Sequence, residues 1–259
     1  VTDLHLTDRG PVRVLVLDRP ESLNGLTVEL VYRLRDAIRE APPEIRTILL
    51  GGANGAFCSG LDLKDAMRRG VGPGPQLEQD LREGFHGLIR ALVEGDRPTI
   101  ACVDGAAAGF GCDLALACDV RFVSERAKFG ESFVKRGLMP DGGGTWTLPR
   151  LVGVGRALEL LYTGDTVSAE EAVRIGLANK LYPASEVFAR AEALALRIAN
   201  GPPLVHRFVK RAVYAGLDGD LGAALDREAA GQLQLLRSSD FTEGVTAFLQ
   251  KREPRFQGK

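Results

Sequence analysis

Apolar residues alternate in LHL and again in VRVLVLD, on either side of a DRG turn at 8–10, and this pattern predicts a β-hairpin. Leu26, Leu30, Leu34 and Ile38 then recur at helical spacing through LTVELVYRLRDAIRE, which predicts the first helix. The segment RTILL, Arg46 to Leu50, reads as a buried strand, and GGANGAFCSG after it as a loop. PTIACVDG repeats that design, leading through the small residues AAAGFG to a short helix at LALAC and a further strand, DVRFVS. Between the two runs, the polar and glycine-rich RRGVGPGPQ at 68–76 predicts a mobile surface loop ahead of a helix over LEQDLREGFHGLIRALVEG. The order strand, turn, helix recurs, so the class is α/β.

From about Ser185 the pattern changes. Three or four helical segments follow with no strand between them: SEVFARAEALALRIAN, PLVHRFVKRAVYAG, LGAALDREAAGQLQLLRS and DFTEGVTAFLQKR. This predicts a catalytic core over residues 1–184 and a helical region over 185–259 that packs on the core or on another subunit. Ser168 with Glu171, and Asp240 with Glu243, have the spacing of reciprocal helix N-caps.

Composition narrows the function more than the fold. With 33 basic and 34 acidic residues among 259, the net charge is −1, which leaves no electrostatic footprint for nucleic acid or an anionic membrane. Uncharged runs such as Thr47 to Leu61 stop short of the roughly 18 residues of a membrane span. VTDLHLTDRG lacks the basic-then-apolar order of a secretory leader, so a cytoplasmic enzyme is expected. Cys58, Cys102, Cys112 and Cys118 form no CxxC pair and read as structural, and His5, His86 and His206 are too scattered to suggest a zinc site.

Two segments share one design, an apolar strand entering a small-residue loop that opens a helix: ILLGGANGAFCSGLDLKDA at 48–66 and TIACVDGAAAGFGCDLALACD at 99–119. Glycine there lets a ligand approach the backbone, and the first N–H groups of a helix lack internal partners. With LDRPESLNGLT, AKFGESFVKRGLMPDGGGTWTLPRLVG, TGDTVSAEEAVRIGLANK and FTEGVTAFLQKREPRF, these motifs resemble, in order and spacing, the crotonase superfamily of enoyl-CoA hydratases and isomerases. The resemblance covers nearly the whole chain. It implies a crotonase-like spiral of repeated ββα units, a C-terminal helical region that forms a homotrimer or a dimer of trimers, and an acyl-CoA substrate. Coenzyme A is then part of the substrate, and no separate cofactor or metal is expected.

By the same resemblance, the backbone N–H groups of Leu61 and Phe110 form an oxyanion hole for the thioester oxygen. Leu23, Asn24, Asp62, Leu63 and Lys64 hold coenzyme A, and Phe248 and Lys251 reach the coenzyme A of a neighbouring subunit. The hydratases use two glutamates. Here the first position is Asp113, and the second is Phe133, which cannot carry a proton. Glu131 lies two residues earlier, and if 131–136 is helical it projects about 200° away from Phe133, as a helix-start carboxylate. Asp141, in MPDGGGTW, matches the acid of some crotonase-fold isomerases and the nucleophile of the dehalogenase branch. The latter's aromatic-rich pocket is not evident in a chain with one Trp.

Two roles stand open for Asp141, the N-cap of a helix through GGGTWTLPR or a general base with Phe133, Leu138 and Met139 as apolar walls. With Asp141 and Asp113 as candidate catalytic residues, a shift of a double bond from C3=C4 to C2=C3 is favoured. Hydration of a trans-2-enoyl-CoA is the alternative, and a catalytically weak acyl-CoA-binding relative a further one.

Overall fold

The computed structural model describes residues 3–70 and 72–259. Strands β1 (Leu4–Arg9) and β2 (Val12–Leu17) form the expected hairpin, with Leu4 opposite Leu17 and Arg9 opposite Val12. Helix α1 (Val28–Arg39) begins at Thr27, whose hydroxyl accepts the Leu30 N–H, and its Leu30, Val31, Leu34 and Ile38 pack with Leu15, Leu17, Ile48 and Leu50. Strand β3 (Thr47–Gly52) runs parallel to β2 and is buried along nearly all its length, which is why its sequence is continuously apolar and not alternating.

Helix α2 (Leu63–Arg68) ends where Arg68 and Arg69 both pair with Asp65, at 2.6 and 2.9 Å. Val71, in the stretch expected to be a mobile loop, lies outside the described residues. From Pro75 one helical run continues: α3 (Pro75–Gln79), a π-helical turn Asp80–Phe85, and α4 (His86–Val93).

Strand β4 (Thr99–Val103) pairs with β3. It is followed by β5 (Ala106–Ala108), α5 (Phe110–Leu116), β6 (Val120–Ser124), β7 (Lys128–Gly130) and a 3-10 turn Ser132–Arg136. Then come α6 (Gly144–Val152), α7 (Val154–Thr163), β8 (Thr166–Ser168), α8 (Ala169–Arg174) and β9 (Lys180–Tyr182). The large sheet has the order β1-β2-β3-β4-β6-β9, and β5-β7-β8 form a small one, which Cys58 joins through a bridge to Ala107. Each turn of the spiral places a strand in the large sheet, a short segment in the small one, and then a helix. Strand β5 hides in the sequence because three alanines show no alternation.

Helix α9 (Ala184–Ala199) covers the other face of the large sheet. Its Val187, Ala191, Ala195 and Ala199 meet Val12, Val14, Leu49, Ile100 and Phe122. The boundary expected at 184/185 falls at the start of this helix. In α10 (Pro203–Gly216), the buried Lys210 ammonium donates to the Leu92 carbonyl at 2.6 Å, the Arg97 carbonyl at 2.9 Å and the Asp119 carboxylate at 2.9 Å. Helices α11 (Leu221–Leu235) and α12 (Ser239–Leu249) follow, and Val213, Leu221, Leu225, Phe248 and Leu249 are exposed. No helix among the described residues is long and apolar enough to cross a membrane.

The two cap pairs differ from expectation. Ser168 does cap α8, accepting the Glu171 N–H, but the Glu171 carboxylate turns to Arg156 and Arg174 instead of back to the cap. Helix α12 is capped by Ser238. That places Asp240 inside the first turn, where its carboxylate accepts the Gln257 and Gly258 N–H groups, and Glu243 pairs with Arg252.

Candidate active site

The two glycine junctions meet. Gly60 has φ of +91°, and a Cβ there would lie 2.7 Å from the Ala108 carbonyl oxygen and 3.3 Å from the Phe110 nitrogen. Leu26 donates its N–H to the Gly60 carbonyl and accepts the Asp62 N–H, a bridge that leaves the N–H of Leu61 itself uncommitted. On the other side, Gly109 donates to the Gly130 carbonyl and accepts from Cys112 and Asp113. Among the described residues neither the Leu61 nor the Phe110 N–H has an acceptor.

Both residues line a cavity of about 290 Å³. Its walls are largely apolar, with Leu63, Leu77, Leu81, Phe85, Phe110 and Phe133 prominent. Phe85, from the π turn, meets Phe110 edge to face, with centroids 4.8 Å apart. Asp141 is the carboxylate of the lining, and Arg136 its cation, among the described residues. Leu138 also lines it, whereas Met139, expected as a wall, is exposed and outside the lining.

The position of Asp141 settles its first alternative. Helix α6 begins after Gly143, which holds the N-cap position without a side-chain bond, so Asp141 is not its cap. The cap position falls two residues later because the glycine run turns the chain at Gly143, φ +88°. Burial raises the Asp141 pKa above the ordinary aspartate value, opposed by the charge of His86 when protonated.

Asp113 and Glu131 lie elsewhere. Asp113 is fully buried on α5, outside the lining, and its Oδ2 accepts the Gly142 N–H at 2.9 Å. Glu131 precedes the 3-10 turn and is buried, without capping it, while Phe133 reaches the cavity. The pair is thus split across the wall as the helical projection predicted, and Glu131 does stand at the start of the turn, in its N-cap position, although its carboxylate makes no bond to it. Burial lifts Glu131 to about 7 and Asp113 well above its ordinary value.

The residues expected at coenzyme A are spread out. Leu23 (φ 52°) is exposed, and its carbonyl accepts the N–H of Ser59, a lining residue. The Asn24 side chain is committed to the fold: its Oδ1 accepts the Arg19 N–H at 2.8 Å, and its Nδ2 donates to the Ala53 and Ala56 carbonyls at 3.0 and 2.7 Å. Asp62 caps α2 and pairs with Arg19 at 2.9 Å. Leu63 lines the cavity, and Lys64 is exposed beside it in the chain. Phe248 and Lys251 are exposed at the end of α12, outside the lining.

Sequence reasoning missed Leu77, Leu81, Phe85 and Arg136. The first two, at i and i+4, were readable as an apolar helical stripe; nothing marked Arg136. Burial pushes the thiols of Cys58, Cys102 and Cys118 up to about 12, as fits structural cysteines.

The model of the family described as enoyl-CoA hydratase/isomerase matches residues 8–259, on a chain whose strands form the ββα spiral. The chain belongs to the enoyl-CoA hydratase/isomerase family. It is an enzyme of that family, with the crotonase fold. It is 44% identical over 246 residues to a Rhodobacter capsulatus protein named "Probable enoyl-CoA hydratase", covering 95% of this chain and 94% of that one. To the 1,2-epoxyphenylacetyl-CoA isomerase of Escherichia coli it is 38% identical over 250 residues, covering 96% and 95%. The enoyl-CoA hydratase of Bacillus anthracis superposes with a TM-score of 0.94 at 31% identity, over the full length of both chains.

Proposed function

We propose that this enzyme shifts a double bond in an acyl-CoA thioester, from C3=C4 to C2=C3, with Asp141 as the base. The observation that carries this reading is that Asp141 is the acidic residue, among the described residues, that lines the same apolar cavity as Leu61 and Phe110. In the reaction, the Asp141 carboxylate takes the C2 proton, and the electron pair spreads over C2, C4 and the thioester oxygen as a dienolate. The two N–H groups receive that oxygen, each donor contributing about 3 kcal/mol to the barrier reduction. Asp141 then returns the proton at C4, so one group serves both transfers and nothing is consumed. The raised pKa of Asp141 matches the demand on a base that must also give its proton back.

Relatives named as hydratases support hydration of a 2-enoyl-CoA as the second reading. Hydration calls for a second acid–base group beside the water. Phe133 occupies that position, and Asp113 is turned to Gly142. The adenine and pantetheine of coenzyme A are assigned to the side of Leu23, Leu63 and Lys64, and the exposed apolar faces of α10 to α12 to a homotrimer or dimer of trimers.

Incubation with a 3-enoyl-CoA and, separately, with crotonyl-CoA separates the readings. Isomerisation faster than hydration supports the proposal, and brisk loss of the crotonyl absorbance sinks it. Saturable acyl-CoA binding with no C2 proton exchange in heavy water would mark a catalytically weak relative instead.

A further inference from the structure

Behind the cavity wall lies a second acidic arrangement that the proposed reaction does not use. Asp113, on α5, spends Oδ2 on the Gly142 N–H, while its Oδ1 and both oxygens of Glu131 are buried with no N–H or O–H donor placed to bond them among the described residues. The two carboxyls converge on one point. A Cβ on Gly144 would stand 2.3 Å from Asp113 Oδ1 and 3.2 Å from Glu131 Oε1, and one on Gly142 would stand 2.7 Å from Asp113 Oδ2. The glycine run after Asp141 is therefore moulded against the two acids. Two buried carboxylates in such contact, both charged, repel at low dielectric, and each unpaired oxygen carries a desolvation cost; one proton between them removes both penalties.

We propose that Asp113 and Glu131 act as a single buried pair holding one proton between them, which positions Asp141 through its hydrogen bond to Gly142 and is coupled to the Asp141 charge. The pair is a positioning device, not a catalytic one, since neither residue lines the cavity. The proposal rests on the reading of Asp141 as the base.

The ionisable groups facing these three acids are few. Asp141 acts on both members of the pair, and the Cys112 thiol of α5 faces Glu131. His86 of α4 faces Asp141, and Arg136 of the 3-10 turn shares its cavity. The charge of an ionised Asp141 opposes ionisation of the pair and so keeps the proton on it, while a protonated His86 favours the ionised Asp141.

Infrared difference spectroscopy on the resting enzyme tests the pair without any turnover. At pH 7 a protonated-carboxyl stretch is expected in the wild type and in Asp141→Asn, and its loss in the doubly substituted Asp113→Asn/Glu131→Gln, whose two amides keep size and hydrogen bonding. No such band in the wild type at pH 7, or its survival in the double variant, overturns the pair. If the double variant does not fold, the wild-type and Asp141→Asn spectra still decide whether the band exists.

The second readout is the pH at which that band titrates. Loss of the Asp141 charge in Asp141→Asn is expected to move it down by about 1 pH unit. A midpoint that stays in place overturns the coupling of the pair to Asp141. Wild-type turnover in Asp141→Asn would remove the base reading, leaving the infrared result to judge the pair by itself.

Discussion

The two sides of the wall built from Phe110 and the glycine run hold the same kind of group in opposite circumstances. On the cavity side Asp141 is half-buried, with no partner for Oδ1, and faces a space large enough for a ligand. On the inner side Asp113 and Glu131 are closed off against backbone. A carboxyl that reaches a cavity can exchange protons with what enters; one sealed behind it can only hold its neighbours in place. Position relative to the wall, and not residue type, separates the roles.

The strongest test of this contrast is Asp141→Asn, which keeps the shape and removes the proposed base. A loss of about 10²–10⁴-fold in isomerase turnover is expected, with little change in Tm. In the wild type the same group predicts an acid limb: its pKa is raised, the base works when ionised, and so activity is lost as pH falls through a value above the ordinary 3.8. A smaller loss, about 10²-fold, is expected for Gly60→Ala. Its new methyl would sit 2.7 Å from the Ala108 carbonyl and 3.3 Å from the Phe110 nitrogen, spreading the two amides. That variant would damage turnover without touching any acid.

Gly142→Ala attacks the inner side. A Cβ 2.6 Å from that of Asp113 must push α5 and the loop apart, at a cost of about 1–3 kcal/mol in chemical denaturation and with Asp141 displaced. The gentlest test is the dependence of Tm on pH. Glu131 titrates near 7 in the folded chain and near its ordinary 4.5 when unfolded, so its share of stability is full below 4.5 and declines as pH rises through 7. Asp113→Asn/Glu131→Gln should flatten this decline between pH 5 and 8.

Much of the fold could be read directly because its signals are local. The hairpin at 8–10, the buried run at Thr47–Gly52 and the four C-terminal helices follow from periodicity, and each lies where the pattern put it. Strand β5 escaped because Ala106–Ala108 gains its identity from β7 and Cys58, which are remote in sequence. At the site, motif order pointed to Leu61, Phe110 and Asp141 as one constellation, and the cavity does bring them together. What could not be read was which acid lines the cavity. Asp113 and Glu131 are as polar in the sequence as Asp141, and only the folded glycine run shows two of them walled off. The structural part of Asn24 was hidden for a related reason: its side chain ties the Arg19 N–H to the Ala53 and Ala56 carbonyls of a loop remote in sequence.

The π turn at Asp80–Phe85 carries an evolutionary consequence. Such a turn is an α-helix with one residue to spare, so removing a residue restores regular geometry without unravelling the rest. Leu77 lines the cavity from just before this turn, and Leu81 and Phe85 line it from within, so the loss of a residue there repacks that wall. This wall of the cavity can thereby change character through a single codon loss, while the amides and Asp141, on other segments, keep their places.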